Sequence, residues 1–434
     1  MKKFLEFNFN ASINKAIEDK AYENPTAVQR KVIPIVNKKI DVIAASKSGT
    51  GKTASYILPM LNKVNNNLNF NNRVLRGLIL VPTRELVEQV SKSLSEYGKY
   101  LKVKHTKIMG GTSKSKQAEI LADGIDIVVA TSGRLLDLQR SGLIDLDSVN
   151  FIVIDEADTM LEMGFKEEIE EIFSFCSPYR QIIMCSATVS QNIRKLAKDY
   201  LRDPVTVQIH DRRDRVDTIK HEAFKVDVKK KKELLAHILK TTKHEQALVF
   251  VNLKDAADAA FEYLRSQGIK VAAIHGDVEY KNRVQAIKDF KSKKIKALVA
   301  TDIAGRGLDI KDLPLVINYT LPEGTDDFTH RVGRTGRAGS KGTVISMLTV
   351  EDYNHFTKIE RNLRLNVKRE IHEEFPLKDR QPRQKAMKKK MSLSEKKGHY
   401  KKKQAPKGEE AIPRKTGAKS KKTTKRDDRK NFRK

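Results

Sequence analysis

Val153-Ile154-Asp155-Glu156-Ala157-Asp158 is the stretch on which the fold of this chain turns. With Phe151 and Ile152 before it, an apolar, mostly β-branched run ends in two adjacent acids. This is the pattern of a buried strand that delivers carboxylates at its end. Roughly 100 residues earlier stands Ser48-Gly49-Thr50-Gly51-Lys52-Thr53, behind the strand-like Asp41-Val42-Ile43-Ala44-Ala45. Backbone N–H groups of such a turn can wrap phosphates, with Gly49 and Gly51 permitting close approach. Lys52 suits the β- and γ-phosphates, and Thr53 the Mg²⁺ that accompanies them. Asp155 is placed to steady that ion and Glu156 to activate a water as general base. Order, spacing and strand context together imply ATP hydrolysis.

Outward from these motifs, short β-rich runs alternate with helical patterns. Strands are expected at 41–45, 78–81, 125–130, 151–154 and 182–185, and again at 247–251, 271–274, 297–300, 315–318 and 344–347. Strands alternating with helices mean βαβ units and buried parallel sheets, and two series imply two sheets. The expected divisions are a first domain over 1–208, a polar linker over 209–217, a second domain over 218–376 and a tail over 377–434. The polar motifs begin where strands end, the edge at which open parallel sheets bind ligands.

The 434-residue chain carries a formal net charge of +30, which favours a polyanionic partner, nucleic acid first. From Leu377 to Lys434 there are 24 Lys or Arg against 6 Asp or Glu, with few apolar residues. Such a segment cannot bury enough surface to order itself and reads as a disordered basic tail with a non-specific grip on phosphates. The sequence contains no apolar run of the roughly 18 residues needed to span a bilayer. The first residues lack a signal peptide's apolar stretch, since Glu6 and Asn8 interrupt it. Cys176 and Cys185 fit no metal or redox spacing and read as structural thiols of a reducing cytoplasm.

Asp155-Glu156-Ala157-Asp158 resembles the signature of the DEAD-box ATP-dependent RNA helicases, and the resemblance covers residues 4 to about 350. In order stand Pro25-Thr26-Ala27-Val28-Gln29, the glycine turn, Pro82-Thr83-Arg84-Glu85-Leu86, Gly110-Gly111, Thr131-Ser132-Gly133-Arg134, the acidic box and Ser186-Ala187-Thr188. The second half supplies His275-Gly276-Asp277, the run Thr301 to Asp309, and the run His330 to Arg337. The resemblance implies an α/β chain of two tandem RecA-like domains, the superfamily 2 helicase core, with ATP between them. Gln29 then reads adenine, Phe4 stacks on it and Asp309 contacts the ribose. Arg334 and Arg337 resemble arginine fingers that join Lys52, Asp155 and Glu156 in catalysis. Ser186, Thr188, Asp158 and His330 are the implied coupling residues between hydrolysis and domain closure.

For the RNA, the candidates are Thr83, Arg84, Gly111, Thr131 and Arg134 in the first domain, and Gly276, Arg283 and Thr301 in the second. Together they suit a backbone track of low sequence specificity. Several positions depart from the family pattern: Ser46, Ala21, Ser132 and Gly305, and more consequentially Tyr280, where glutamine is usual, and Thr320, where an acid is common. Among relatives the chain most resembles bacterial RhlE-type helicases, which implies work on ribosomal precursors or mRNA turnover, with ribosome-assembly or RNA-degradation proteins as partners. The competing readings are an RNA annealing chaperone with a vestigial ATPase and a DNA-directed motor of the same superfamily.

Overall fold

In the computed structural model, which describes residues 3–46, 49–69, 73–209, 219–305, 308, 310, 312–336 and 341–378, the apolar runs assemble into two seven-stranded sheets. The first holds β1 (Val42–Ala45), β2 (Gly77–Leu80), β3 (His105–Ile108), β4 (Ile127–Ala130), β5 (Phe151–Ile154), β6 (Gln181–Ser186) and β7 (Val205–Gln208). The second holds β8 (Ile219–Lys225), β9 (Ala247–Val251), β10 (Val271–Ile274), β11 (Ala297–Thr301), β12 (Leu315–Asn318), β13 (Gly342–Leu348) and β14 (Arg369–Ile371). Their orders are β3-β4-β2-β5-β6-β1-β7 and β10-β11-β9-β12-β13-β8-β14, so the second repeats the first strand for strand. These are two tandem RecA-like parallel-sheet lobes. Ser48, Asp309, Arg337, linker positions 210–217 and the tail beyond 378 lie outside the described residues.

All pairings are parallel, and the register explains why the runs read as apolar throughout. Ile79 pairs with Val153, and Val153 with Ile183. This row packs on one face with Val42 and Ala44, while Leu78, Leu80, Ile152, Ile154, Ile182 and Met184 pack on the other. With helices on both faces, every residue of a central strand is buried. The side chains of β5 are at most 1% exposed. At about 1.5–3 kcal/mol for each such side chain, this strand anchors the acids that follow it.

All ten expected strands are present. The four not anticipated, β3, β7, β8 and β14, lie at or next to sheet margins. Their sequences, such as His-Thr-Lys-Ile and Val-Thr-Val-Gln, are buried on one side at most and carry polar residues outward. Among the described residues no helix is long and apolar enough to cross a membrane. Cys176 and Cys185 are both buried free thiols.

Candidate nucleotide and RNA site

The glycine turn leaves β1 and enters the helix Lys52–Asn66 through Gly51, whose φ of 92° lies in the left-handed region that glycine adopts without strain. A Cβ there would also stand 2.6 Å from Gln29 Nε2. Gln29 is itself fixed at both ends. Its Oε1 accepts from the Thr26 backbone N–H at 2.9 Å, and its Nε2 donates to the Gly51 carbonyl at 3.1 Å. Each end retains one hydrogen-bonding position, because an amide offers two donors and two acceptor lone pairs. Ser46 and Thr50 share a hydroxyl contact of 2.8 Å, and Lys52 Nζ donates to the Ser46 carbonyl, so the buried lysine folds back over its own turn.

Lys52 faces the acidic box. Asp155 follows β5 and is 5% exposed; burial pushes its carboxyl upward in pKa, and the Lys52 charge is the largest influence opposing that. Its two oxygens accept from the Tyr56 hydroxyl at 2.7 Å and from the Glu156 backbone N–H at 2.9 Å. Tyr56 was not anticipated. It is fully buried, and its place four residues after Lys52, on the same helix face, was the available signal. Glu156 sits at φ 51°, a left-handed backbone that costs a residue with a Cβ about 1–2 kcal/mol. Burial and the neighbouring Asp155 push its carboxyl up to about 7, against the pull of Arg334 from the second lobe. Its side chain accepts no hydrogen bond among the described residues.

Asp158 turns the other way. Its Oδ2 accepts from the backbone N–H groups of Ala187 at 2.9 Å and Thr188 at 3.2 Å. The Ser186 hydroxyl donates to the Thr188 carbonyl at 2.6 Å, and the Ser46 N–H donates to the Ser186 carbonyl at 3.1 Å. Acidic box, Ser-Ala-Thr loop and phosphate turn are thus one hydrogen-bonded unit across β5, β6 and β1. For a Mg²⁺ ion, the half-buried Thr53 hydroxyl and the buried Asp155 carboxylate, held opposite Lys52, are hard oxygen donors that fit. Phe4, the ring expected to stack on adenine, is 5% exposed, packed on Phe7 and stacked on Tyr22, which is 44% exposed and to which sequence reasoning assigned no role.

On the second lobe Arg334 is buried and donates to the Leu308 carbonyl at 2.6 Å. The helix Thr325–Val332, which carries His330, also carries Arg331, the largest fully buried side chain among the described residues. Its guanidinium forks onto both Asp302 oxygens at 2.6 Å, donates to Asn318 Oδ1 at 3.2 Å, Asn252 Oδ1 at 2.8 Å and the Thr320 carbonyl at 2.5 Å, and lies over the Phe250 ring. Sequence reasoning assigned Arg331 no role, since burial is invisible in a basic run.

The strand-gripping candidates occupy the other half of each sheet. Thr83, Gly111 and Thr131 follow β2, β3 and β4, and Gly276 and Thr301 follow or end β10 and β11. Thr83 caps the helix Arg84–Tyr97 by accepting from Leu86 N–H at 3.3 Å, while Thr131 caps its helix with no side-chain bond. Arg134 donates to the Thr112 carbonyl at 3.0 Å and pairs loosely with Asp137. Arg283 is engaged by the protein: its Nη2 meets Glu85 Oε1 at 2.7 Å across the lobes. Thr320 donates to Asn252 Oδ1 at 2.8 Å, inside the Arg331 network.

The DEAD/DEAH box helicase family model matches residues 26–196 and the helicase conserved C-terminal domain model residues 230–339. The chain belongs to the DEAD-box ATP-dependent RNA helicases. Over 360 residues it is 35% identical to the DEAD-box ATP-dependent RNA helicase RhpA of Helicobacter pylori, covering 83% of this chain and 72% of that protein. With the DEAD-box ATP-dependent RNA helicase CshA of Geobacillus kaustophilus it shares 36% identity over 85% of this chain and 78% of the relative. Among solved structures it is similar to S. cerevisiae Dbp5 bound to RNA and ADP BeF3, with a TM-score of 0.76, 28% identity, and coverage of 86% of this chain and 96% of that one. As a DEAD-box protein it is an ATP-hydrolysing RNA helicase.

Proposed function

We propose that the chain couples RNA-stimulated ATP hydrolysis to local separation or remodelling of RNA duplexes, with one catalytic centre shared by two lobes. What supports this reading is the meeting of the lobes: Arg283 Nη2 pairs with Glu85 Oε1 at 2.7 Å across them, and the charge of Arg334, on the second lobe, is felt at Glu156, on the first. A cation that reaches the base only when the lobes are engaged makes hydrolysis depend on engagement. Lys52, the 49–53 turn and Ser48 hold the phosphates. Glu156 takes the proton of the attacking water, and Arg334 with Arg337 neutralises charge developing on the transferred phosphoryl group. Gln29 and the aromatic pair face the base, with Tyr22 as the exposed ring and Phe4 behind it; Asp309 serves the ribose. Thr53 and Asp155, together with the phosphates, would hold a Mg²⁺ ion, which would supply charge neutralisation there.

The RNA lies on Thr83, Arg84, Gly111, Thr131 and Arg134 and, in the second lobe, Gly276, Arg283 and Thr301. Asp158, through the Ser-Ala-Thr loop, and His330 transmit occupancy between the two halves. Because ATP and RNA each favour the same engaged arrangement, each strengthens the other's binding. The basic tail adds a non-specific grip. We assign residues 1–208 and 218–376 to the two lobes with 209–217 as linker. An RhlE-type bacterial role in the cytoplasm, in ribosome assembly or RNA turnover, is the finer reading, supported by a compact helicase body followed by a short basic tail.

The test is ATP hydrolysis by purified protein with no nucleic acid, with single-stranded RNA and with DNA of the same sequence. Stimulation by RNA above DNA is expected, and equal rates in all three would end the proposal. Lys52→Ala should abolish strand separation while RNA is still bound.

A further inference from the structure

Tyr280 opens the helix Tyr280–Lys291 of the second lobe, yet it touches the first lobe throughout. Its ring packs against the apolar core of that lobe. The Arg84 guanidinium lies 5.8 Å from the ring centroid, and the Tyr280 hydroxyl donates to Glu88 Oε1 at 3.3 Å. Gly111 completes the enclosure: a Cβ there would stand 3.4 Å from Tyr280 Cβ and would collide with the Arg84 guanidinium. One helical turn beyond Tyr280, Arg283 pairs with Glu85. Two positions three apart on one helix therefore grip three consecutive-face residues, Arg84, Glu85 and Glu88, at the start of another.

Arg84 makes no hydrogen bond among the described residues. A guanidinium attracted to a ring spends no N–H donor on that contact, so the Arg84 donors are not committed to a protein acceptor among the described residues. Those donors are the ones a phosphate takes in bidentate fashion. Burial and the nearby Glu88 push the Tyr280 phenol up to about 12, so its hydroxyl remains a donor at neutral pH.

We propose that Tyr280 is a positioning residue that pins the second lobe to the strand-gripping edge of the first and presents the Arg84 guanidinium to an RNA phosphate. It rests on the proposed RNA track, and it adds that lobe engagement is partly built in before RNA arrives. Loss of the ring frees Arg84 and unpins the lobes together.

The experiment uses the full chain with Tyr280→Gln, which removes the ring, and Tyr280→Phe, which keeps it. Lobe proximity is read by energy transfer between cysteines introduced at the exposed Glu119 and Ser266; the native Cys176 and Cys185 are buried. With a non-hydrolysable ATP analogue and no RNA, transfer should fall in Tyr280→Gln and hold in Tyr280→Phe. In steady state, Tyr280→Gln should raise the RNA concentration for half-maximal ATPase by roughly 3–10-fold, the scale of a cation–π contact, with kcat at saturating RNA unchanged. Tyr280→Phe should restore the wild-type value. Unchanged transfer and unchanged RNA requirement in Tyr280→Gln overturn the proposal, as does a Tyr280→Phe variant as impaired as Tyr280→Gln. If RNA fails to stimulate even the wild type, the RNA reading falls, whereas the transfer measured without RNA still decides the pin.

Discussion

The two lobes have one strand order and opposite chemistry at corresponding strand ends. After β1 the chain passes through Gly49 and Gly51 into a helix N-terminus. After β8, the corresponding strand, it runs Val226-Asp227-Val228-Lys229-Lys230 into the helix Lys231–Thr241 with ordinary backbone angles and no glycine. After β5 stand acids whose carboxyls burial pushes upward, one of them on a left-handed backbone. At β12 the polar groups are consumed: Asn318, Thr320 and Asn252 accept from a buried arginine that Asp302 neutralises. The carboxyl edge of a parallel sheet is thus a general scaffold. The first lobe keeps polar capacity, and the second spends its own on rigidity around Arg331.

The sharpest way to break this contrast is Glu156→Gln. Hydrolysis should fall by about 10²–10⁴-fold, the range for a lost general base, measured by phosphate release at saturating ATP and RNA. Wild-type turnover should rise with pH through about 7 as Glu156 deprotonates. Stability should move oppositely. The folded chain holds this proton more tightly than the unfolded chain, whose carboxyl titrates near 4.5, so the contribution is full below 4.5 and lost as pH rises through about 7. Glu156→Gln should therefore melt above wild type at pH 8 and close to it near pH 4.5. An unchanged melting temperature at pH 8 would mean the site is not electrostatically strained.

In the second lobe the same logic predicts a loss of stability. Arg331→Met strands the Asp302 carboxylate and three acceptors and should cost about 3–5 kcal/mol in denaturant unfolding of the second lobe. A smaller effect awaits Gly305→Ala, whose Cβ would stand 2.6 Å from Phe250, the ring beneath Arg331. Overpacking of this kind costs about 1–3 kcal/mol. The least effect, of the other sign, should come from Ala21→Gly in the first lobe. Ala21 has φ 52°, and relief of that backbone less the entropy of glycine should stabilise by about 0.5 kcal/mol in thermal unfolding.

Ten of the strands and the phosphate turn were legible because central parallel strands are apolar on both faces and a glycine turn ends in Lys52 and Thr53. The four marginal strands were not, since His105-Thr106-Lys107-Ile108 or Val205 to Gln208 expose one side and resemble loops. Tyr56 and Arg331 escaped for a related reason: hydrogen-bonded burial leaves no mark on a tyrosine in a helix or an arginine in a basic run. Gly305 became intelligible only beside Phe250, which fills the space a methyl would need.

The order of residues alone determined which candidate groups the chain carries, because a glycine turn ending in Lys52 and Thr53, paired acids and a run of arginines are properties of short segments. Tertiary structure decided how these segments are sorted. Placing β2 beside β4 and β5, and β1 beside β6, gathers the candidate nucleotide residues on β5-β6-β1 and the candidate RNA contacts of the first lobe on β3-β4-β2. It also decided that Tyr280 lies beside Arg84 and that the charge of Arg334 is felt at Glu156, pairs of residues nearly 200 positions apart. No local pattern encodes them, since they exist only once two buried sheets have chosen their neighbours.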